Sequence, residues 1–129
     1  MSLRIMLAAG LAAAVAGIAP ALAQKCEPSQ DPSPASNAAT GISFYNDTQY
    51  AFYVYWAGFD GLLQEYALVQ PFEEIGFGTY EGHRWFVELV TPDGEQCFGP
   101  IWADTAESCN ARVLFDEVIG IDAGGCDFD

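Results

Sequence analysis

Residues 42–86 read ISFYNDTQYAFYVYWAGFDGLLQEYALVQPFEEIGFGTYEGHRWF, and their texture decides the fold class. Two runs of aromatic and β-branched residues, 42–45 and 50–56, flank Asn46-Asp47-Thr48-Gln49, a cluster with turn chemistry. The pattern predicts two strands joined as a hairpin. A turn at Phe59-Asp60-Gly61 leads into a short strand over 63–68 that breaks at Pro71, and 75–80 and 84–90 read as two more strands joined through Glu81-Gly82. If that loop is three residues long, with Gly82 in the left-handed conformation, Thr79 and His83 become direct cross-strand neighbours. Further on, Thr91-Pro92-Asp93-Gly94 is a strong turn signal. A strand resumes over 96–98 until Gly99-Pro100 interrupts it, and 101–102 and 112–115 read as closing strands. Beyond the leader no stretch keeps helical periodicity over three turns. Many short strands with frequent turns predict an all-β chain folded as a small β-sandwich over residues 41–129.

Outward from this block, the N-terminus has the form of a signal peptide over residues 1–23. Arg4 supplies a positive start, 5–18 is an apolar run, and Ala21-Leu22-Ala23 fits the small-x-small cleavage pattern. The apolar run is short for a membrane span of about 20 residues, and nothing later approaches one. The expectation is an exported protein, periplasmic or secreted, beginning at Gln24. The residues before Cys26 are not the small apolar set of a lipid-attachment site. Cleavage leaves roughly a hundred residues, the size of one small domain. Residues 24–40, with Pro28, Pro32 and Pro34, read as a Pro/Ser-rich extended linker anchored by Cys26.

All four cysteines, Cys26, Cys97, Cys109 and Cys126, lie beyond the leader, and an even number in an oxidising compartment predicts two disulfides. Of the three possible connectivities, Cys97 with Cys109 and Cys26 with Cys126 is the expectation, one local loop and one tie between the ends. A zinc site is the alternative, but no pair has C-x-x-C spacing and there is one histidine. The chain carries 4 Lys and Arg against 18 Asp and Glu, a formal net charge of −14, and loss of Arg4 with the leader makes it more negative still. Such a surface repels phosphate backbones and anionic lipid heads, so nucleic acid and membrane surfaces are disfavoured as partners.

The order Asn46-x-Thr48, Trp56-x-x-Phe59-Asp60-Gly61, Tyr66, then Thr79-Tyr80-x-Gly82-His83-x-Trp85 resembles, in ungapped register, the β domain of the von Hippel-Lindau tumour suppressor family. The resemblance covers about a third of the chain. It implies a β-sandwich that binds a peptide through one 4-hydroxyproline, with no catalysis and no cofactor. Carried over, Trp56, Tyr66 and Trp85 become the walls of an aromatic pocket, Tyr80 lies near the peptide backbone, and His83 and Thr79 hold the ligand hydroxyl. Two positions depart from the family: Gly78 stands where another peptide-contacting histidine is found, and Thr79 stands in place of a serine. The helical domain that recruits a ubiquitin-ligase scaffold has no counterpart in this sequence, so the pocket carries over and the ligase function does not.

Each of these residues also has a plainer reading. Trp85 suits a core anchor as well as a ligand wall. Asn46-Asp47-Thr48 has the form of a glycosylation sequon, but a side chain capping its own turn is the preferred reading. Other functions have weaker support. Aromatics beside hydroxyls and carboxylates would also suit a carbohydrate. Paired carboxylates for a hydrolase arise by chance in so acidic a chain, and no G-x-S-x-G elbow accompanies His83. The acidic tail lacks a D-x-[DN]-x-[DN]-G calcium loop.

Overall fold

The computed structural model describes residues 25–116 and 120–128. The leader expected over 1–23 lies outside the described residues. Among the described residues nine strands, β1 (Ala39–Asn46), β2 (Phe52–Ala57), β3 (Leu63–Val69), β4 (Glu74–Tyr80), β5 (Trp85–Thr91), β6 (Gly94–Trp102), β7 (Cys109–Asp116), β8 (Gly120–Gly124) and β9 (Asp127–Phe128), form two sheets. One sheet has the order β4-β1-β7-β8 and the other β3-β2-β5-β6-β9. The fold is the all-β sandwich that the sequence predicts. Among the described residues no helix is long and apolar enough to cross a membrane.

The two sheets meet through alternating side chains, as the two-residue period of a strand requires. Ile42 and Phe44 of β1 and Ala111 and Val113 of β7 face Phe52 and Val54 of β2 and Trp85, Val87 and Leu89 of β5, all buried. Trp85 is the largest of these, stacked on Phe77 of β4 at 5.1 Å between ring centroids with an 18° interplanar angle.

Strand positions follow the sequence closely, but two pairings differ from the expectation. The predicted hairpin between 42–45 and 50–56 does not form: β1 pairs with β4 and β7 in one sheet, while β2 pairs with β3 and β5 in the other. The chain at 47–51 crosses between layers. It does so around Asn46, whose buried amide nitrogen donates to Tyr50 O (2.8 Å) and Val69 O (3.1 Å), while its Oδ1 accepts from Thr48 N (3.0 Å) and Thr48 Oγ1 (2.7 Å). The turn reading of Asn46 therefore holds, and both amide hydrogens are directed into the protein. Likewise β4 and β5 are not hairpin partners, so Thr79 and His83 are not cross-strand neighbours. Residues 80–83 form a β-turn between layers, closed by His83 N–H donating to Tyr80 O at 3.1 Å. Gly82 occupies its third position at φ 82°, the left-handed conformation expected of it.

The disulfides also pair differently. They join Cys26 to Cys97 and Cys109 to Cys126, rather than Cys97 to Cys109 and Cys26 to Cys126. The reason is again the layering: Cys97 lies on β6 in the five-stranded sheet, and Cys109 opens β7 in the other. The Cys26 N–H donates to Glu88 Oε2 at 2.8 Å, and Glu88 sits opposite Cys97 on β5, so one carboxylate places the N-terminal segment beside its disulfide partner. The second oxygen of Glu88 accepts from the Tyr55 hydroxyl at 3.2 Å. Burial pushes that hydroxyl up to about 12, and the Glu88 charge adds to the shift.

The segment expected as a linker is extended and lies against the sandwich. Ser29 forms a bridge with Leu62, Gln30 N–H donates to Gly61 O, and Glu81 N–H donates to Ala38 O. Ser33 is buried, its hydroxyl accepting from Arg84 N–H at 2.8 Å. This strap therefore reaches the turn that carries His83.

Candidate functional site

All six residues singled out for the pocket line a single concavity. Trp56, Tyr66, Thr79, Tyr80, His83 and Trp85, together with Phe59 and Gly78, surround about 240 Å³ where the edge strands β3 and β4 meet the ends of β2 and β5. The layer crossing at 80–83 creates the site, because it swings His83 from the end of one sheet towards Trp56 of the other. Tyr66 on β3 and Tyr80 on β4 stand at the rim, 49% and 44% exposed, whereas Trp85 at the floor is 2% exposed. Trp85 is thus both core anchor and pocket base.

Rings make up the walls. Tyr66 meets Trp85 edge to face at 5.2 Å and Trp56 at 6.3 Å. Phe59 stands edge to face against both Trp56 and His83 at 5.4 Å. Such geometry places positive ring edges against negative ring faces and holds the wall planes in fixed orientations. Phe59 was read from the sequence as part of a turn. Its place in the W-x-x-F-D-G run, three residues after Trp56, is the signal that could have marked it as a wall residue.

Each indole N–H is paired with one of the two polar side chains. Trp85 Nε1 donates to Thr79 Oγ1 at 3.2 Å, and Trp56 Nε1 donates to His83 Nδ1 at 3.2 Å. The second bond fixes the imidazole tautomer: Nδ1 must be the bare acceptor, so Nε2 carries the hydrogen. That nitrogen is buried and has no hydrogen-bond partner among the described residues. His83 as a whole is 4% exposed, and burial holds its pKa below the ordinary imidazole range, with the Pro34 backbone on the strap pulling the other way. Thr79 keeps its own hydroxyl hydrogen and a second lone pair for another partner.

The edge of β4 beside the pocket is open. Gly76 and Gly78 are exposed, and a Cβ at Gly78 would meet nothing within 4 Å. Among the described residues no strand pairs with the outer side of the backbone there, since β4 ends its sheet. The site therefore offers an apolar slot between aromatic rings, two polar side chains at its base, and unpaired backbone along one rim. Among the described residues no nucleophile is set against a base there. Among the described residues no group of three His, Cys, Asp or Glu side chains is placed to hold a metal ion. No protein-family model matches this chain, and no curated protein matches it.

Proposed function

We propose that this protein is an exported, non-enzymatic binding module that takes a proline or 4-hydroxyproline ring of an extended peptide into the Trp56–Tyr66–Trp85 slot. The observation that carries the reading is the convergence on one concavity of the six pocket residues carried over from the von Hippel-Lindau-like pattern, beside a strand edge with no neighbouring strand among the described residues. A pyrrolidine ring lies flat against indole and phenol faces with little entropy to lose, and the open β4 edge suits the backbone of an extended chain. The ring hydroxyl would be tested by Thr79 and His83. Their bonds to the two tryptophans orient them before any ligand arrives, which lowers the ordering cost of binding. The two disulfides fit an oxidising compartment, in line with a periplasmic or secreted location.

The test is a binding titration of the purified domain with a short 4-hydroxyproline peptide and its proline twin. The hydroxylated peptide binds more tightly, by roughly 1–3 kcal/mol for each polar group that plain proline leaves unmatched. Thr79→Val and His83→Ala, checked for folding by thermal melts, abolish that preference. Equal affinity for both peptides, or none for either, would sink the hydroxyproline reading.

A further inference from the structure

The turn between β3 and β4 carries a bulky aromatic residue where the backbone favours glycine. Gln70-Pro71-Phe72-Glu73 is closed by the Glu73 N–H donating to Gln70 O at 3.1 Å, with proline second and Phe72 third at φ 65°. This is the arrangement of a type II turn, whose third position suits glycine or asparagine and strains a larger side chain. The interior does not call for the ring, since Phe72 is 62% exposed. Strain kept at an exposed position is a pointer to function.

Phe72 lines a second concavity, of about 280 Å³, with Asp47, Thr48, Gln49, Tyr50 and Phe115, and shares no residue with the His83 pocket. Tyr50 and Phe115 meet edge to face at 5.8 Å, which fixes their planes beside it. Asp47 on this rim is ion-paired with Arg112, which stands outside the lining, so its carboxylate offers an acceptor whose charge is compensated. Thr48 is already engaged with Asn46 and Tyr50, which leaves the Asp47 carboxylate, the Gln49 amide and the Tyr50 phenol as the polar groups of the lining.

We infer that this concavity is a second binding site, taking a neutral pyranose unit of a glycan with Phe72 as its stacking platform. The C–H face of a sugar ring matches an exposed aromatic plane, and its vicinal hydroxyls match a carboxylate, an amide and a phenol in the lining. Charge decides against the alternatives. The formal net charge of −14 opposes uronic, sulfated or phosphorylated ligands, and the pairing of Asp47 by Arg112 removes the local attraction for a cation.

The test follows the backbone amides of the isotope-labelled protein by NMR during titration with soluble oligosaccharides of glucose, of N-acetylglucosamine and of mannose. At least one series produces saturable shifts at residues 47–50 and 72–73 and leaves 79–85 unmoved. Phe72→Gly, which relaxes the turn, melts no lower than the parent and weakens that binding by about tenfold or more. The inference is overturned if no series gives saturable shifts at millimolar concentration, if the shifts fall on 79–85, or if they survive Phe72→Gly. A Phe72→Gly chain that melts clearly lower would assign the ring to packing and also overturn it.

Discussion

Asn46 shows how much of this fold rests on single polar side chains. Its amide serves four bonds in a fully buried position where the chain changes layers, so Asn46→Ala would remove the side-chain partners of Val69 O and Thr48 N at once and leave Tyr50 O with the Thr48 hydroxyl alone. With about 1–3 kcal/mol for each buried group left unsatisfied, the variant should lose at least about 2 kcal/mol in denaturant unfolding. Asn46→Asp restores the shape but not the two donors, and should recover little. His83 makes a prediction in pH. Its folded pKa lies below the unfolded value of 6.5, because burial disfavours the imidazolium. The unfolded chain therefore takes up the proton first, and stability is full above pH 6.5 and falls as pH drops through and below that value. Protonation would also turn Nδ1 from acceptor to donor and break the Trp56 bond, so tryptophan emission should change over the same acid range. His83→Gln, which cannot titrate, should lack that part of the acid loss; an unchanged pH profile would assign it to the carboxylates instead.

At the scale of elements, the N-terminal strap and the two disulfides are what strand patterns alone do not describe. Cys26–Cys97 closes a sequence separation of 71 residues and Cys109–Cys126 one of 17. On the chain-entropy account the first should contribute about 4 kcal/mol and the second about 3 kcal/mol. Replacing Cys26 and Cys97 together by serine should therefore lower the melting temperature more than replacing Cys109 and Cys126. It should also raise the hydrogen exchange of Leu63 and Arg84, whose N–H groups donate to Pro28 and Ser33 of the strap. The larger loss falling on the Cys109/Cys126 pair would mean that the strap holds without its staple.

The same elements mark the limit of what the sequence makes legible. Strand positions from Ile75 to Val90 can be read locally, because alternation and turn residues are local properties. Whether a turn returns the chain to its own sheet or sends it to the opposite one is not local. Asn46-Asp47-Thr48-Gln49 and Tyr80-Glu81-Gly82 have good turn chemistry either way, and both proved to be crossings. The disulfide pairing failed for the same reason, since it depends on which layer each strand joins. The pocket residues come from the resemblance to the von Hippel-Lindau family, whose pattern runs in register from Trp56 to Trp85, and the structure brings them round one concavity. Its hydrogen-bond pairing, one tryptophan to each polar group, required the three-dimensional arrangement.

For the molecule as a whole, charge is the property that no single contact captures. Only 4 basic side chains face 18 acids, so at most a few carboxylates can be paired and the folded surface repels itself. Salt acts on two opposing terms. It weakens exposed pairs such as Arg112–Asp47, worth no more than about 1 kcal/mol, and it relieves the long-range repulsion among all the unpaired acids. The second term involves many more charges. As the Debye length contracts from about 30 Å at 0.01 M to about 8 Å at 0.15 M, repulsion across a domain of this size is largely screened. The melting temperature should therefore rise with sodium chloride over that range. A net gain of about 1 kcal/mol corresponds to a rise of about 4–8 °C in a domain of this length. Reversing Glu65→Lys on the exposed β3 edge should reduce that salt dependence, because it removes one repelling charge and adds an attracting one. A melting temperature that falls with salt would mean that local ion pairs, rather than net repulsion, govern the stability of this sandwich.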